Sequence, residues 1–147
     1  MFKNILVAVD GSTAATRALE SAIQISDKFG AGLHLLHVVR EMQMPLNPGL
    51  MERYEKVQRE RHDLLRSAGE DILNQAKRMA QSKGINSVES DIGSGDPATA
   101  IAGYADKNQI DLIVIGNRGL GQVHSMLMGS VSRKVSNIAK AACLIVK

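Results

Sequence analysis

The sequence predicts an α/β protein built on one doubly wound sheet of five parallel strands, order 3-2-1-4-5, with helices on both faces. Three observations lead there. Short apolar runs alternate with longer stretches whose apolar residues recur every three or four positions, and strands separated by helices imply parallel crossovers. The first and fourth runs are nearly all apolar, as strands covered on both faces are, so they belong in the middle. That leaves the third and fifth strands at the edges, and the third carries Glu89 and Asp91, charges that protect an edge from unwanted pairing.

The elements follow in order. Ile5-Leu6-Val7-Ala8-Val9 is a strand run closed by Asp10-Gly11-Ser12. From Thr13 to Phe29, Ala14, Ala18, Ala22, Ile25 and Phe29 keep helical spacing; Ser12 is the expected cap, and Gly30 and Gly32 end the helix. Leu33 to Val39 is the second strand. The loop from Arg40 to Gly49 holds Pro45 and Pro48 and leaves the carboxyl end of that strand, so it is either a lid over a ligand or a plain connector. A long helix is expected from about Leu50 to Lys83, with Val57, Leu64, Ala68, Ile72, Ala76 and Met79 as its apolar stripe. Its charge-rich first half, with Glu52–Lys56 and Glu55–Arg59 four apart, reads as a solvated face. Asn86 to Ile92 is the third strand. Asp96-Pro97 starts a helix, the acid as cap and the proline at the first helical position, running to about Lys107. Asp111 to Ile115, a glycine-bearing loop from Gly116 to Met128, a helix from Ser130 to Lys140 and a last strand from Ala142 to Val146 complete the chain.

Composition narrows the class. A chain of 147 residues fits one domain spanning 1–147 and can bury roughly 68–70% of its unfolded surface. It is 44% hydrophobic and 22% charged, which argues against disorder. Aromatics make up 3%, with no tryptophan; the core must be aliphatic, and base-stacking platforms for nucleic acid are disfavoured. The net charge of +3 comes without a basic run, again against a nucleic-acid partner. No apolar run approaches the ~18 residues of a membrane helix, and no secretory signal opens the sequence. Cys143 is the single cysteine, which excludes an internal disulfide and suits the cytoplasm; it is expected as inert core or interface. His34 and His37, three apart on a strand, point to opposite faces and cannot share a metal. The apolar fifth strand, 142–146, invites pairing with a second copy of the chain, so a homodimer is expected there.

In such a sheet the strand order reverses between the first and fourth strands, and ligands bind in the crevice beyond their carboxyl ends. Ala8-Val9-Asp10-Gly11-Ser12 and Ile115-Gly116-Asn117-Arg118-Gly119 meet there. The second segment is followed, after nine intervening residues, by Gly129-Ser130 at a helix start. Glycines let a backbone approach a phosphate closely, and a helix N-terminus offers free N–H groups. Ser130 can cap that helix or donate to a phosphate oxygen. Arg133 and Lys134 sit in the first turn, where cations oppose the helix dipole unless an anion is bound; the alternative is that both point into water. His124, in the same loop, either approaches a phosphate or belongs to loop surface. The pattern is neither a Walker loop nor the Gly-x-Gly-x-x-Gly fingerprint.

Over essentially its whole length the chain resembles the universal stress protein family. The resemblance is carried by Lys3-Asn4-Ile5-Leu6-Val7-Ala8-Val9-Asp10-Gly11-Ser12, Leu36-His37-Val38, Gly95-Asp96-Pro97, the run from Asp111 to Gly119, and Gly129-Ser130-Val131. The spacing Gly-x-x-Gly, nine residues, Gly-Ser is similar to the ATP-binding branch of that family. It implies a Rossmann-like fold and an ATP-binding regulatory or sensor protein of the stress response. It also implies that Ala8, Val9 and Asp10 line the nucleoside, the acid near the ribose, and that Val38 meets adenine through its backbone. Ile115, Gly116 and Gly119 would contact ribose and phosphates, Arg118 being counted with them, and Gly129, Ser130 and Val131 would hold the phosphates. Magnesium would arrive with the phosphates, since no metal-ligand spacing is present in the chain. Dimerisation through the last strand is implied too, as is an unidentified protein partner. Two positions depart from the family pattern: Ala142 stands where a proline is common, and Asn117 where a serine often follows the first glycine. No nucleophile, base and orienting group form a set around Ser12 or Ser130. The alternative function is therefore at most a slow ATP-hydrolysing or nucleotide-transfer enzyme, with Asp10 the one acid placed to act as a base.

Overall fold

The computed structural model describes residues 1–41, 47–119 and 128–147. Five strands, β1 (Asn4–Ala8), β2 (Gly32–Val39), β3 (Val88–Ser94), β4 (Leu112–Gly116) and β5 (Ala142–Val146), form one sheet. Its order is β3-β2-β1-β4-β5 and every pairing is parallel, as the alternation and the apolar central runs predict. Val7 lies opposite Leu35 on one side and Val114 on the other, so the centre of the sheet is wholly aliphatic. Four helices cover it: α1 (Thr13–Phe29), α2 (Met51–Ser82), α3 (Pro97–Lys107) and α4 (Ser130–Ile138).

Two cores result, one per face. Ile5, Val7, Leu33, Leu35 and Val114 pack under α1 and α2 through Ala18, Leu19, Ala22, Leu73 and Ala76. Leu6, Leu36, Ile113 and Ile115 pack under α3 and α4 through Ile101, Ala105 and Val135. The small residues of α1 let it lie close on the sheet. The Ser12 hydroxyl accepts from Ala15 N–H at 3.1 Å and caps α1, and Gly30 ends the helix in the left-handed conformation at φ 65°. Asp96 caps α3, accepting from Thr99 N–H at 3.0 Å, with Pro97 at the first helical position. At the opposite end of the sheet, Asp111 accepts from the N–H groups of Asn4 and Lys3 at 2.9 and 2.8 Å. Those bonds lower its carboxyl below the ordinary range and tie the start of β1 to the chain entering β4.

One expectation fails on α2. The helix exists, but only Gly69, Leu73, Ala76 and Ala80 are buried; Val57 is 53% and Leu64 71% exposed, and Ala68 is exposed as well. Length is part of the reason. Thirty-two helical residues reach about 48 Å, whereas the eight-residue β2 reaches about 26 Å, so the N-terminal end of α2, with Val57, overshoots the sheet. Leu64 and Ala68 are exposed because of facing: they lie about 100° round the helix from Leu65 and Gly69, which turn towards the protein. No helix among the described residues is long and apolar enough to cross a membrane.

Candidate functional site

Parallel strands all deliver their carboxyl ends to one edge, and β1 and β4 leave it in opposite directions, one into α1 and the other towards α4. Between them lies a cavity of about 360 Å³. The residues expected to meet the ligand, from Ala8, Val9 and Asp10 through Val38 and Ile115–Gly116 to Arg118, Gly119, Gly129, Ser130 and Val131, line it, while Gly11, expected at the same crevice, does not. The cavity has two chemically different ends.

At the β4–α4 end the chain is drawn tight. Gly129 N–H donates to Asn117 O at 2.8 Å, and the Ser132 hydroxyl, donating towards Asn117 O and Gly129 O, lies 3.1 Å from each. These contacts join the turn after β4 to the first turn of α4. A Cβ on Gly129 would stand 2.8 Å from Asn117 O, a main-chain atom, and one on Gly119 would stand 2.6 Å from Asp10 Oδ2 and displace that carboxylate. Asp10 itself accepts from Ser12 N–H at 2.9 Å, which turns the chain from β1 into α1. The Arg118 Nε is buried and has no hydrogen-bond partner among the described residues.

Two open sequence readings are narrowed here. Of the two roles open to Ser130, cap or phosphate donor, the cap falls away: Gly129 occupies that position, and no side-chain cap bond is present among the described residues. Because Gly129 N–H is already committed to Asn117 O, the donors that α4 can offer are those of its first turn, Ser130, Val131 and Ser132. Lys134 neither points freely into water nor turns to the cavity; its Nζ lies 2.9 Å from Asp96 Oδ2. The bond from Lys134, with those from Thr99, holds the Asp96 carboxyl at about 2. Lys140, two residues past the end of α4, makes a similar pair with Asp106 of α3 at 2.7 Å. His124 and most of the possible lid, residues 42–46, lie outside the described residues.

At the β2 end the lining is more apolar, with Val38, Leu36 and Ile101 below and Leu65 of α2 above. Of this wall, sequence reasoning found Val38 and missed Leu36, Ile101 and Leu65. His37 Nδ1 donates to Val9 O at 2.8 Å, bracing the ends of β1 and β2. Its ring fills the notch at Gly69, where a Cβ would press on it, 3.0 Å from Nε2 and closer to Cδ2. A buried glycine inside a helix, which costs about 1 kcal/mol relative to alanine, was the one signal in the sequence that something must fit there. His34 faces the other side of the sheet, its Nδ1 lying 3.2 Å from the Tyr104 hydroxyl, so the two histidines do diverge. Among the described residues no three His, Cys, Asp or Glu groups gather to hold a metal. Cys143 is half-buried on β5, and burial raises its thiol.

The arrangement suits a ligand with an anionic tail and a flat, weakly polar head. Comparison with known proteins bears on what that ligand class is. The family model described as the universal stress protein family matches residues 1–147. The universal stress protein YxiE of Bacillus subtilis is 35% identical over 149 residues, covering all of both chains. Among solved structures, the universal stress protein UspA from Lactobacillus plantarum has a TM-score of 0.88 at 28% identity, covering 99% of this chain and 98% of its own. A universal stress protein in complex with cAMP has a TM-score of 0.74 at 26% identity, covering 99% and 97%.

Proposed function

The chain belongs to the universal stress protein family, and on that footing we propose that it is an ATP-binding regulatory protein whose nucleotide occupancy sets its conformation or its partners. The observation that carries this reading is the buried Arg118 Nε without a partner among the described residues, at the end of the cavity where α4 begins. A buried unsatisfied donor costs about 1–3 kcal/mol, and a phosphate oxygen removes that cost. The cradle fits the same group: it is kept open at Gly119 and Gly129, and the first-turn N–H groups of α4, the Ser130 hydroxyl and the helix dipole all favour an anion. The relative solved with cAMP supports a nucleotide as the ligand class.

In this reading Arg118, Gly119, Ser130 and Val131 hold the phosphates, with any magnesium carried by the phosphates themselves. Ala8, Val9 and Asp10 face the nucleoside, and Val38 reads the base through its backbone. The phosphates add a cross-link between the β4 turn and α4, and the Lys134–Asp96 pair joins α4 to the cap of α3. The whole chain acts as one nucleotide-binding unit in the cytoplasm. Calorimetric titration with ATP and magnesium, against cAMP in parallel, is expected to give saturable heat with ATP. No heat with either nucleotide would overturn the reading, and heat with cAMP alone would replace ATP as the ligand.

The oligomer belongs to the same proposal. β5 is an edge strand with Leu144 37% exposed, and it presents an unpaired ladder to a second copy. Sedimentation equilibrium at micromolar concentration should return the mass of a dimer, and Leu144→Lys should return a monomer. A monomeric parent protein would refute the pairing.

A further inference from the structure

The overshoot of α2 has a counterpart at the cavity. Arg61, Leu65 and Gly69 are spaced four apart, which puts them on one face of the helix. Gly69 is seated on the His37 ring, and one turn further out Ile72 meets Gly11, its Cδ1 3.3 Å from where a Cβ would stand. These two contacts set the depth at which α2 crosses the ends of β1 and β2. The next two turns towards the N-terminus pass over the cavity mouth, so that Leu65 and Arg61 line it. Arg61 is also held: its Nη1 donates to Arg40 O at 3.1 Å, just past the end of β2. That bond is made in the guanidinium plane, so it leaves the faces of the plane open to stacking.

We propose that Arg61 and Leu65 form a roof over the base, with the Arg61 guanidinium stacked on the face of a bound purine and the Gly69–His37 seat fixing the height of that roof. This rests on the nucleotide-binding reading above and adds a specificity element contributed by α2, an element outside the glycine motif. A planar guanidinium stacks on an aromatic face as well as attracting it by charge, and lysine reproduces only the charge. The Arg61 to Arg40 bond keeps the plane from rotating away, and Leu65 supplies the apolar contact beside it. Arg61 sits at the β2 end, across the cavity from Gly129 and Ser130, so stacking rather than phosphate contact is its role.

Adenosine and ATP separate the two roles. Calorimetric titration of the full chain with each is expected to show Arg61→Ala weakening both by the same factor, about three- to tenfold, with the melting temperature unchanged. Arg61→Lys should fail to restore either. A loss confined to ATP would make Arg61 a phosphate ligand and overturn the proposal, as would unchanged affinity or full rescue by lysine. A parent protein that binds neither ligand would overturn the nucleotide reading itself, and the roof with it; a parent that binds both while Arg61→Ala does too, equally well, overturns the roof alone.

Discussion

Gly116→Ala is expected to destabilise the fold by about 1–3 kcal/mol, although it adds a single methyl group. Gly116 ends the central strand β4, directly under the first turn of α1. A Cβ there would lie 2.7 Å from the carbonyl carbon of Ala14 and 2.9 Å from both its oxygen and its Cβ. Backbone atoms cannot rotate aside as a side-chain tip can, so either α1 must lift or β4 must sink. Neither is easy in an interior packed as densely as an organic crystal, and β4 is buried along its whole length. Urea denaturation measures the loss: the midpoint should fall with the slope unchanged. Lifting α1 would also move Ser12 and the turn at Asp10, so nucleotide binding should weaken in the same variant. An unchanged midpoint would mean that the close approach of α1 to the sheet is wrong.

Gly129→Val should act on the site more than on the fold. A Cβ at this position meets Asn117 O at 2.8 Å and the Arg118 Cα at 3.5 Å, both main chain, and valine adds two methyl groups at the mouth of the cradle. The first turn of α4 is pushed from the β4 turn, and the Gly129 to Asn117 bond at 2.8 Å is strained or lost. Hydrogen bonds to a charged group are worth about 1.5–3 kcal/mol each. Misplacing two of the α4 and Arg118 donors should therefore lower ATP affinity roughly 100-fold or more. Calorimetry on the parent and the variant at matched melting stability reads this directly. Equal affinity in the two proteins would mean that the phosphates are not held between Gly119 and Ser130.

These two glycines show why parts of the molecule were legible before folding and parts were not. Gly116 and Gly129 stand out in the sequence by spacing, and the strand order places them together at the crevice. The caps at Ser12 and Asp96 were legible for a local reason: each bond spans three residues and needs nothing else in the fold. The helix start at Ser130 was legible, but not which of its two roles the serine could keep: Gly129 takes the cap position, and its N–H goes to Asn117 O in a distant turn. Lys134 misled because its partner Asp96 is 38 residues away, on another helix. The stripe on α2 is helical as its spacing indicates, but packing sets the buried face: Leu65 and Gly69 turn inwards while Leu64 and Ala68, about 100° away, stay in the open, and spacing does not record how far the sheet beneath the helix extends.

The order of apolar runs, their lengths and the glycines between them determined by themselves that this chain winds one parallel sheet in the order 3-2-1-4-5, with a cleft between β1 and β4. Those features act over a few residues or through burial, which composition along the chain records directly. Only the tertiary structure decided that α2 reaches past the sheet to the cavity, that His37 seats against Gly69 while bracing Val9, and that the Arg118 Nε is buried with no partner among the described residues. Each of these depends on where two distant segments meet to within an ångström, and no pattern within a single segment carries that distance.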